Sequence, residues 1–299
     1  MSSEAWTPTR AAFRLTTQLN VFAEHHGVER FPVDVTTLAR EAAHLFSWPD
    51  PITEVKPANI DRFEGALFPN EDRTKWMLLY NHELTSSGRI RFTQAHELGH
   101  YILHRMARDS FQCTDEDMFD WSPDERNIES ESDTFASYLL MPLDDYRAQT
   151  RSAPINLDLF SHCADRYGVS LTASILKWLE HTEESAVFVM SRDGYIDWAW
   201  SSQAAMRAGA YFKTRNCPPI SLPAHSLAAN EQIEQEKLGQ TMSSNVWFPK
   251  AEEQFHLQEM KLRADQYDST LTLLHLPRSA KAWARWQERR HADRRRVRL

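Results

Sequence analysis

Two histidines four residues apart constrain this chain more than any other feature of its sequence. His96 and His100 lie in the segment Gln94–Tyr101, QAHELGHY. On an α-helix, positions i and i+4 share one face and are separated by about 6 Å along the axis. Two imidazoles in this arrangement can bind one metal ion. The sequence therefore predicts a helix at Arg91–Arg105 that presents both rings to a single ion.

The glutamate after the first histidine has a different predicted role. Glu97 lies about 100 degrees around the helix from His96, so it is badly placed to bind the same ion but can reach a water molecule beside it. We therefore predict that Glu97 is a general base. His104 lies about 6 Å further along the axis, beyond the reach of that ion, and we expect it to be a packed or exposed histidine.

A catalytic zinc ion usually has three protein ligands and keeps its fourth position for water. A second helix, expected to begin with a capping box at Ser122–Glu125 and to end at Met141–Pro142, offers the third ligand. Glu129 lies on the stripe that the apolar residues of this helix bury, whereas Glu131 points away from it. Because the capping box uses Glu125, Glu129 is predicted to complete a zinc site with the two histidines.

Asp133, one helical turn after Glu129, could accept the second ring N–H of a ligand histidine and fix the tautomer of that ring. The alternative for Glu129 and Asp133 is a pair of surface carboxylates. For the whole motif, the alternative is a solvated helix face, because a five-residue match to HExxH can arise by chance.

Cys113 lies between the two helices that carry the predicted ligands. Its thiolate could occupy the open position of the zinc ion and hold the site latent until oxidation or displacement. The alternative is a small, partly buried loop residue. Cys163 and Cys217, the other two cysteines, form neither a CxxC pair nor a disulfide framework with it, which suits a reducing compartment.

Charge is distributed unevenly along the chain. The net charge is -8, but residues 278–299 carry nine Lys/Arg and two Asp/Glu, so this tail carries +7 and the rest -15. The tail interleaves Trp283 and Trp286 with arginines, which suits stacking and phosphate contacts with single-stranded DNA. A solvated amphipathic helix is the alternative. The predicted nucleic-acid contacts are Arg285, Arg289, Arg290, Arg294, Arg295 and Arg296.

No apolar run reaches the roughly 20 residues needed to cross a bilayer, and the N-terminus lacks a signal-peptide pattern. We therefore expect a cytoplasmic protein without a membrane partner. Helices are predicted at residues 11–26 and 34–46, and strands at 63–68 and 76–80. The first of these strands is expected to be an exposed edge that could hold an extended substrate.

Further along, residues 156–181 are predicted to form two short helices separated by Gly168-Val169-Ser170. These helices imitate a DNA-binding helix-turn-helix, but the second offers one basic residue, Lys177, so we favour a packing role. The hydrophobic period then changes to two, and Asp193-Gly194 predicts a hairpin. A domain boundary is expected near Glu183-Glu184.

The chain resembles the ImmA/IrrE family of metallopeptidases through Arg91–His100 (RFTQAHELGH) and Phe135–Pro142 (FASYLLMP). The resemblance covers roughly residues 30–180, and the hairpin with the strand pattern at 270–276 suggests the GAF-like second domain of longer members. The implied fold is α+β. It comprises a gluzincin-like metallopeptidase domain of helices and a small sheet (1–183), a mixed α/β GAF-like sensor domain (184–277) and a basic C-terminal tail (278–299).

The resemblance also implies a function. Members of this family cleave helix-turn-helix repressor proteins and so switch on DNA-damage, mobile-element or antiphage genes. This chain is therefore expected to be a signal-activated zinc endopeptidase with a repressor as substrate and, through its tail, single-stranded DNA as an activator. One departure is Asp133, where the family commonly has Asn. The alternative from another class is a non-catalytic DNA- or repressor-binding regulator with a structural metal site.

Overall fold

The structure is a computed structural model that describes residues 6–59, 63–84, 86–107, 111–114, 123–264 and 268–283. The chain divides into two compact units, Met1–Arg151 with Cys163–Leu171 and Ser152–His162 with Thr172–Leu299. The predicted boundary between residues 183 and 184 stays a prediction. None of the described helices is long and apolar enough to span a lipid bilayer.

The first unit combines helices with a small sheet, and the molecule is of the mixed α+β type that the sequence predicts. Its elements, with one helix shared with the second unit, are α1 (Pro8–His26), α2 (Val35–Phe46), β1 (Ile52–Ala58), β2 (Phe63–Pro69), β3 (Trp76–Asn81), α3 (Ser87–His104), β4 (Phe111–Thr114), α4 (Pro123–Leu140), α5 (Leu143–Thr150) and α6 (Leu157–Tyr167).

The sheet of the first unit has the strand order β1-β3-β2-β4. β1 runs parallel to β3, whereas β2 is antiparallel to both β3 and β4. The prediction that residues 63–68 form an exposed edge strand is therefore wrong, because β2 is hydrogen-bonded on both sides. The short strand β4 is an edge of the described sheet instead.

Helix α3 is the central element of the first unit and packs against β2, β3 and α4. It begins four residues earlier than predicted, because the hydroxyl of Ser86 accepts a hydrogen bond from the backbone N–H of Arg89 at 3.1 Å and caps the first turn. At Gly99 the approach of α4 is close, since an added Cβ would lie 3.2 Å from the Cα of Ser132. This close approach brings polar side chains of α4 to the histidines of α3.

The second unit contains an antiparallel sheet and short helices. Its elements are α7 (Leu171–His181), β5 (Ser185–Arg192), β6 (Tyr195–Ser201), α8 (Gln203–Arg207), β7 (Ile220–Ser221), β8 (Gln235–Ser243), α9 (Ser244–Trp247), β9 (His256–Ala264) and β10 (Ser269–Leu276). The six strands have the order β7-β6-β5-β10-β9-β8. Buried residues such as Val187, Trp247 and Leu274 form the hydrophobic core of this unit.

The predicted hairpin is confirmed. Arg192 pairs with Tyr195 across a two-residue turn. Asp193 and Gly194, the two turn residues, have φ angles of 51° and 77°. Two successive positive φ values are what a type I′ turn requires, and Asp-Gly tolerates them better than most pairs. The two helices separated by Gly168-Val169-Ser170 are also present, as α6 and α7.

Candidate metal centre

Three side chains from two helices meet at one point in the first unit. His96 and His100 come from α3 and Glu129 from α4, and one ligand atom of each lies within 4.8 Å of the others. The Nε2 atoms of the two rings are 2.9 Å apart, and Oε2 of Glu129 lies 3.0 Å and 3.4 Å from them. Both histidines are buried, at 8% and 0% exposure. The structure thus brings together the three residues that the sequence predicts as metal ligands.

The ring of each histidine is oriented through its other nitrogen. Nδ1 of His96 donates to Oδ1 of Asp133 at 2.9 Å, which leaves its Nε2 facing Glu129. The hydroxyl of Ser132 lies 3.1 Å from Nδ1 of His100. When the Nδ1–H of His100 donates to this hydroxyl, the lone pair of its Nε2 faces the same point. The ring of His100 also stacks on Phe111, with centroids 4.5 Å apart.

Electrostatics at this point favour a positive charge. Burial would lower the pKa of His96, but the hydrogen bonds with Asp133 and Glu129 outweigh it and raise the pKa to about 10. Burial lowers the pKa of His100 to about 4, and the neighbouring charge on His96 acts in the same direction. Burial would raise the pKa of Glu129, but its contacts with His100 and His96 outweigh burial and hold the pKa well below its usual value. These shifts favour a positive charge beside the two rings and an ionised Glu129 carboxylate.

A third histidine of α3, His104, lies near the metal group but is not part of it. His104 is buried, and its Nε2 contacts Oε2 of Glu131 at 2.8 Å, one helical turn beyond His100. Neither His104 nor Glu131 belongs to the three-residue group among the described residues. Of the two states that the sequence allows for His104, packed or exposed, the structure shows the packed one.

Other predicted residues are only partly within the described structure. The backbone of Cys113 pairs with Gly65 across β4 and β2, but its side chain lies outside what the structure describes, so the latency hypothesis stays a prediction. The capping role of Glu125 and all six tail arginines, from Arg285 to Arg296, lie outside it as well. Trp283, by contrast, stacks on Tyr211 of the second unit, with ring centroids 6.1 Å apart.

Sequence reasoning missed Ser132 and Phe111 as neighbours of His100. Ser132 lies three residues after Glu129 and is fully buried. A serine one turn from a predicted ligand, next to the buried stripe of an amphipathic helix, is a usable signal for a hydrogen-bond partner. No comparable signal exists for Phe111, because its contact depends on how β4 pairs with β2.

The segment that carries this site matches a known protein family. Residues 52–178 match the Peptidase_M78 family, described as the IrrE N-terminal-like domain. No curated protein matches the chain. A solved structure described as a Mycobacterium tuberculosis transcriptional regulator aligns with 90% of this chain and 76% of its own, with 16% sequence identity and a TM-score of 0.47. The matched segment contains β1 to α7 in part, including every ligand candidate, and we conclude that residues 52–178 of this chain are an IrrE N-terminal-like domain of the Peptidase_M78 family.

Proposed function

We propose that this chain is a zinc-dependent endopeptidase of gluzincin-like fold that cleaves a helix-turn-helix repressor in response to a signal. The observation that carries the proposal is the convergence of two imidazole nitrogens and one carboxylate oxygen, with Glu97 next to the first histidine on the same helix. The match of residues 52–178 to the Peptidase_M78 family supports the same reaction class.

The donor set suits zinc. Zn–N and Zn–O bonds of roughly 2.0–2.1 Å in a tetrahedral site place ligand atoms about 3.3 Å apart. The three separations here, 2.9, 3.0 and 3.4 Å, are close to that value. Two imidazoles and one carboxylate are also a usual set for catalytic zinc. His96, His100 and Glu129 would hold the ion.

The residues around the ion have distinct parts in the reaction. When bound, zinc supplies Lewis-acid polarisation of the scissile carbonyl and lowers the pKa of a bound water. Glu97 takes a proton from the attacking water and delivers it to the leaving amine. Asp133 holds the ring of His96 in one tautomer and orientation. Glu97 is fully buried, which shields this proton transfer from bulk water.

The proposed substrate binds in an extended conformation along the sheet. Because β2 is paired on both sides, main-chain hydrogen bonds to the substrate would come from β4, which is an edge of the described sheet. Specificity for a repressor would come from contacts outside the reacting bond. The proposal of a repressor as the substrate rests on the family resemblance.

The second unit is proposed to be a GAF-like sensor that regulates cleavage. Its six-stranded antiparallel sheet carries a core of its own, as a separately folding sensor would require. Single-stranded DNA is the proposed activator, recognised by the basic tail.

Cleavage assays with the Glu97→Gln variant test the proposal. The purified chain is incubated with the product of a neighbouring repressor gene, with zinc and with a chelator, and the fragments are identified by mass spectrometry. We expect zinc-dependent cleavage by the native chain and a loss of about 100-fold or more in Glu97→Gln, whose zinc content is unchanged. Zinc binding without any cleavage by the native chain would favour the non-catalytic regulator instead.

A further inference from the structure

A glycine of the sheet lies directly against the predicted general base. At Gly65 in β2, an added Cβ would lie 2.7 Å from Oε1 and 2.9 Å from Cγ of Glu97, and 2.6 Å from Cγ2 of Thr93. Thr93 and Glu97 are one turn apart on the face of α3 that contacts β2. Ordinary van der Waals contact begins near 3.4 Å, so the Glu97 oxygen occupies space that any side chain at residue 65 would need.

The backbone of β2 is held in place on both sides. Gly65 pairs with Tyr80 of β3 on one side and with Cys113 of β4 on the other. Moving residue 65 away from α3 would therefore disturb two ladders of hydrogen bonds. The position of residue 65 against the Glu97 side chain is therefore fixed.

Helix α3 has little room to move away from β2. Its opposite side meets α4 at Gly99, where an added Cβ would lie 3.1 Å from the Phe135 ring and 3.2 Å from the Ser132 backbone. Its ligand histidines are also tied to α4 through Asp133 and Ser132. A side chain at residue 65 would therefore displace the Glu97 carboxylate, by about 0.7 Å or more, rather than the helix.

We propose that Gly65 is a positioning residue, whose lack of a side chain seats the Glu97 carboxylate against β2 at the distance from the zinc site that proton transfer needs. This inference rests on the proposed function, because it assigns Glu97 the role of base. A heavy-atom separation of about 2.6–3.2 Å is required for such a transfer. A shift of the size imposed at residue 65 exceeds that tolerance.

The Gly65→Ala variant tests the inference through a separation of kinetic constants. We expect kcat to fall about 10- to 100-fold, with KM and bound zinc per chain unchanged, because the ligands and the substrate edge β4 keep their places. A loss of zinc parallel to the loss of kcat, or a kcat equal to that of the native chain, would overturn the inference.

A second substitution tests whether Thr93 carries the effect instead. Thr93→Ser removes the methyl group nearest to the added Cβ and keeps the hydroxyl that donates to Glu64 at 3.3 Å. The added Cβ still lies 2.7 Å from Oε1 of Glu97. We therefore expect Gly65→Ala with Thr93→Ser to keep the low kcat of Gly65→Ala. A return to the native kcat would place the effect at Thr93 and overturn the inference.

The control separates strain from positioning. Gly27 ends α1 with a φ of 63°, and an added Cβ there meets nothing within 4 Å. Gly27→Ala therefore strains the backbone of the same unit without touching the site, and it should keep the native kcat.

Crystal structures of the native chain and of Gly65→Ala test the inference whatever the activity: an unmoved Glu97 carboxylate refutes it. If Gly65→Ala displaces the Glu97 carboxylate as expected but the native chain cleaves no substrate, only the proposed function is refuted.

Discussion

His96 contacts a carboxylate at each of its ring nitrogens, and only one of the two belongs to the metal group. Asp133 accepts from Nδ1 at 2.9 Å. We predict that Asp133→Ala lowers the affinity for zinc about 10- to 100-fold, because the ring loses the partner that fixes its tautomer and raises its basicity. Competition with a chromophoric chelator measures this affinity directly.

Glu131→Ala is the matched control for this experiment. Glu131 lies on the same helix and also contacts a histidine, His104, at 2.8 Å, but it is not part of the three-residue group. Its removal should change the zinc affinity less than about threefold, since outer partners matter when they support a ligand. Equal losses in the two variants would show that Asp133 acts through general charge rather than through His96.

The residues of the site differ in how far a sequence can reveal them. The spacing of His96 and His100 and the buried stripe of Glu129 depend only on helix geometry, so the sequence predicts their meeting. The contact of Gly65 with Glu97 depends on strand register and on the distance between sheet and helix. Neither quantity is encoded by a local pattern, and the sequence therefore gave no sign of it.

A cluster of charged and polar side chains joins α5 to α6 in the first unit. Asp145 accepts two hydrogen bonds from Arg166, at 2.8 and 2.9 Å, and one from the hydroxyl of Tyr167 at 2.6 Å. Burial would raise the pKa of Asp145, but these hydrogen bonds outweigh it and hold the pKa below its usual value. The stabilisation is therefore present above the unfolded-state pKa, near 3.9, and is lost as the pH falls through the folded-state pKa.

We predict that Asp145→Asn lowers the free energy of unfolding by about 1–2 kcal/mol at pH 7, because a half-buried charged hydrogen-bond group loses its charge. The difference from the native chain should shrink near pH 3. Urea unfolding at both pH values measures it. Asp144→Asn removes an exposed charge from the same first turn of α5 and should cost less than about 0.5 kcal/mol. A deficit independent of pH would argue against the ion pair.

Elements with a strong local signal were predicted, and those without one were not. The helix predicted at residues 34–46 is confirmed as α2, and Asp34 caps it by accepting a hydrogen bond from the backbone N–H of Thr37 at 3.0 Å. β1 was missed because it is an edge strand containing Pro57, a residue that weakens any strand prediction. β8 was missed because it is largely exposed and interrupted by Gly239, so no alternation marks it. Such strands form because a neighbouring strand is available, which is a tertiary effect.

In the molecule as a whole, the fold of the second unit extends further along the chain than the predicted start of the basic tail. Ala280 and Ala282 are 5% and 2% exposed and belong to the core of that unit, so the chain is part of the fold beyond residue 277, where the basic tail was expected to begin. A truncation that tests the tail must therefore follow Trp283. The removed residues 284–299 contain seven arginines and two acidic residues, a net charge of +5.

We predict that truncation after Trp283 abolishes binding of single-stranded DNA and any stimulation of cleavage, while zinc content and basal cleavage stay unchanged. If about five phosphates are neutralised, the affinity of the full chain should fall about 100-fold between 50 and 200 mM salt. Trp286→Ala keeps the charge and isolates base stacking, with an expected loss of about 1–3 kcal/mol in binding free energy. Fluorescence anisotropy with a labelled oligonucleotide measures both. Because the rest of the chain carries a net charge of -13 and repels phosphate, equal binding by the truncated chain would exclude the tail as the DNA-binding segment.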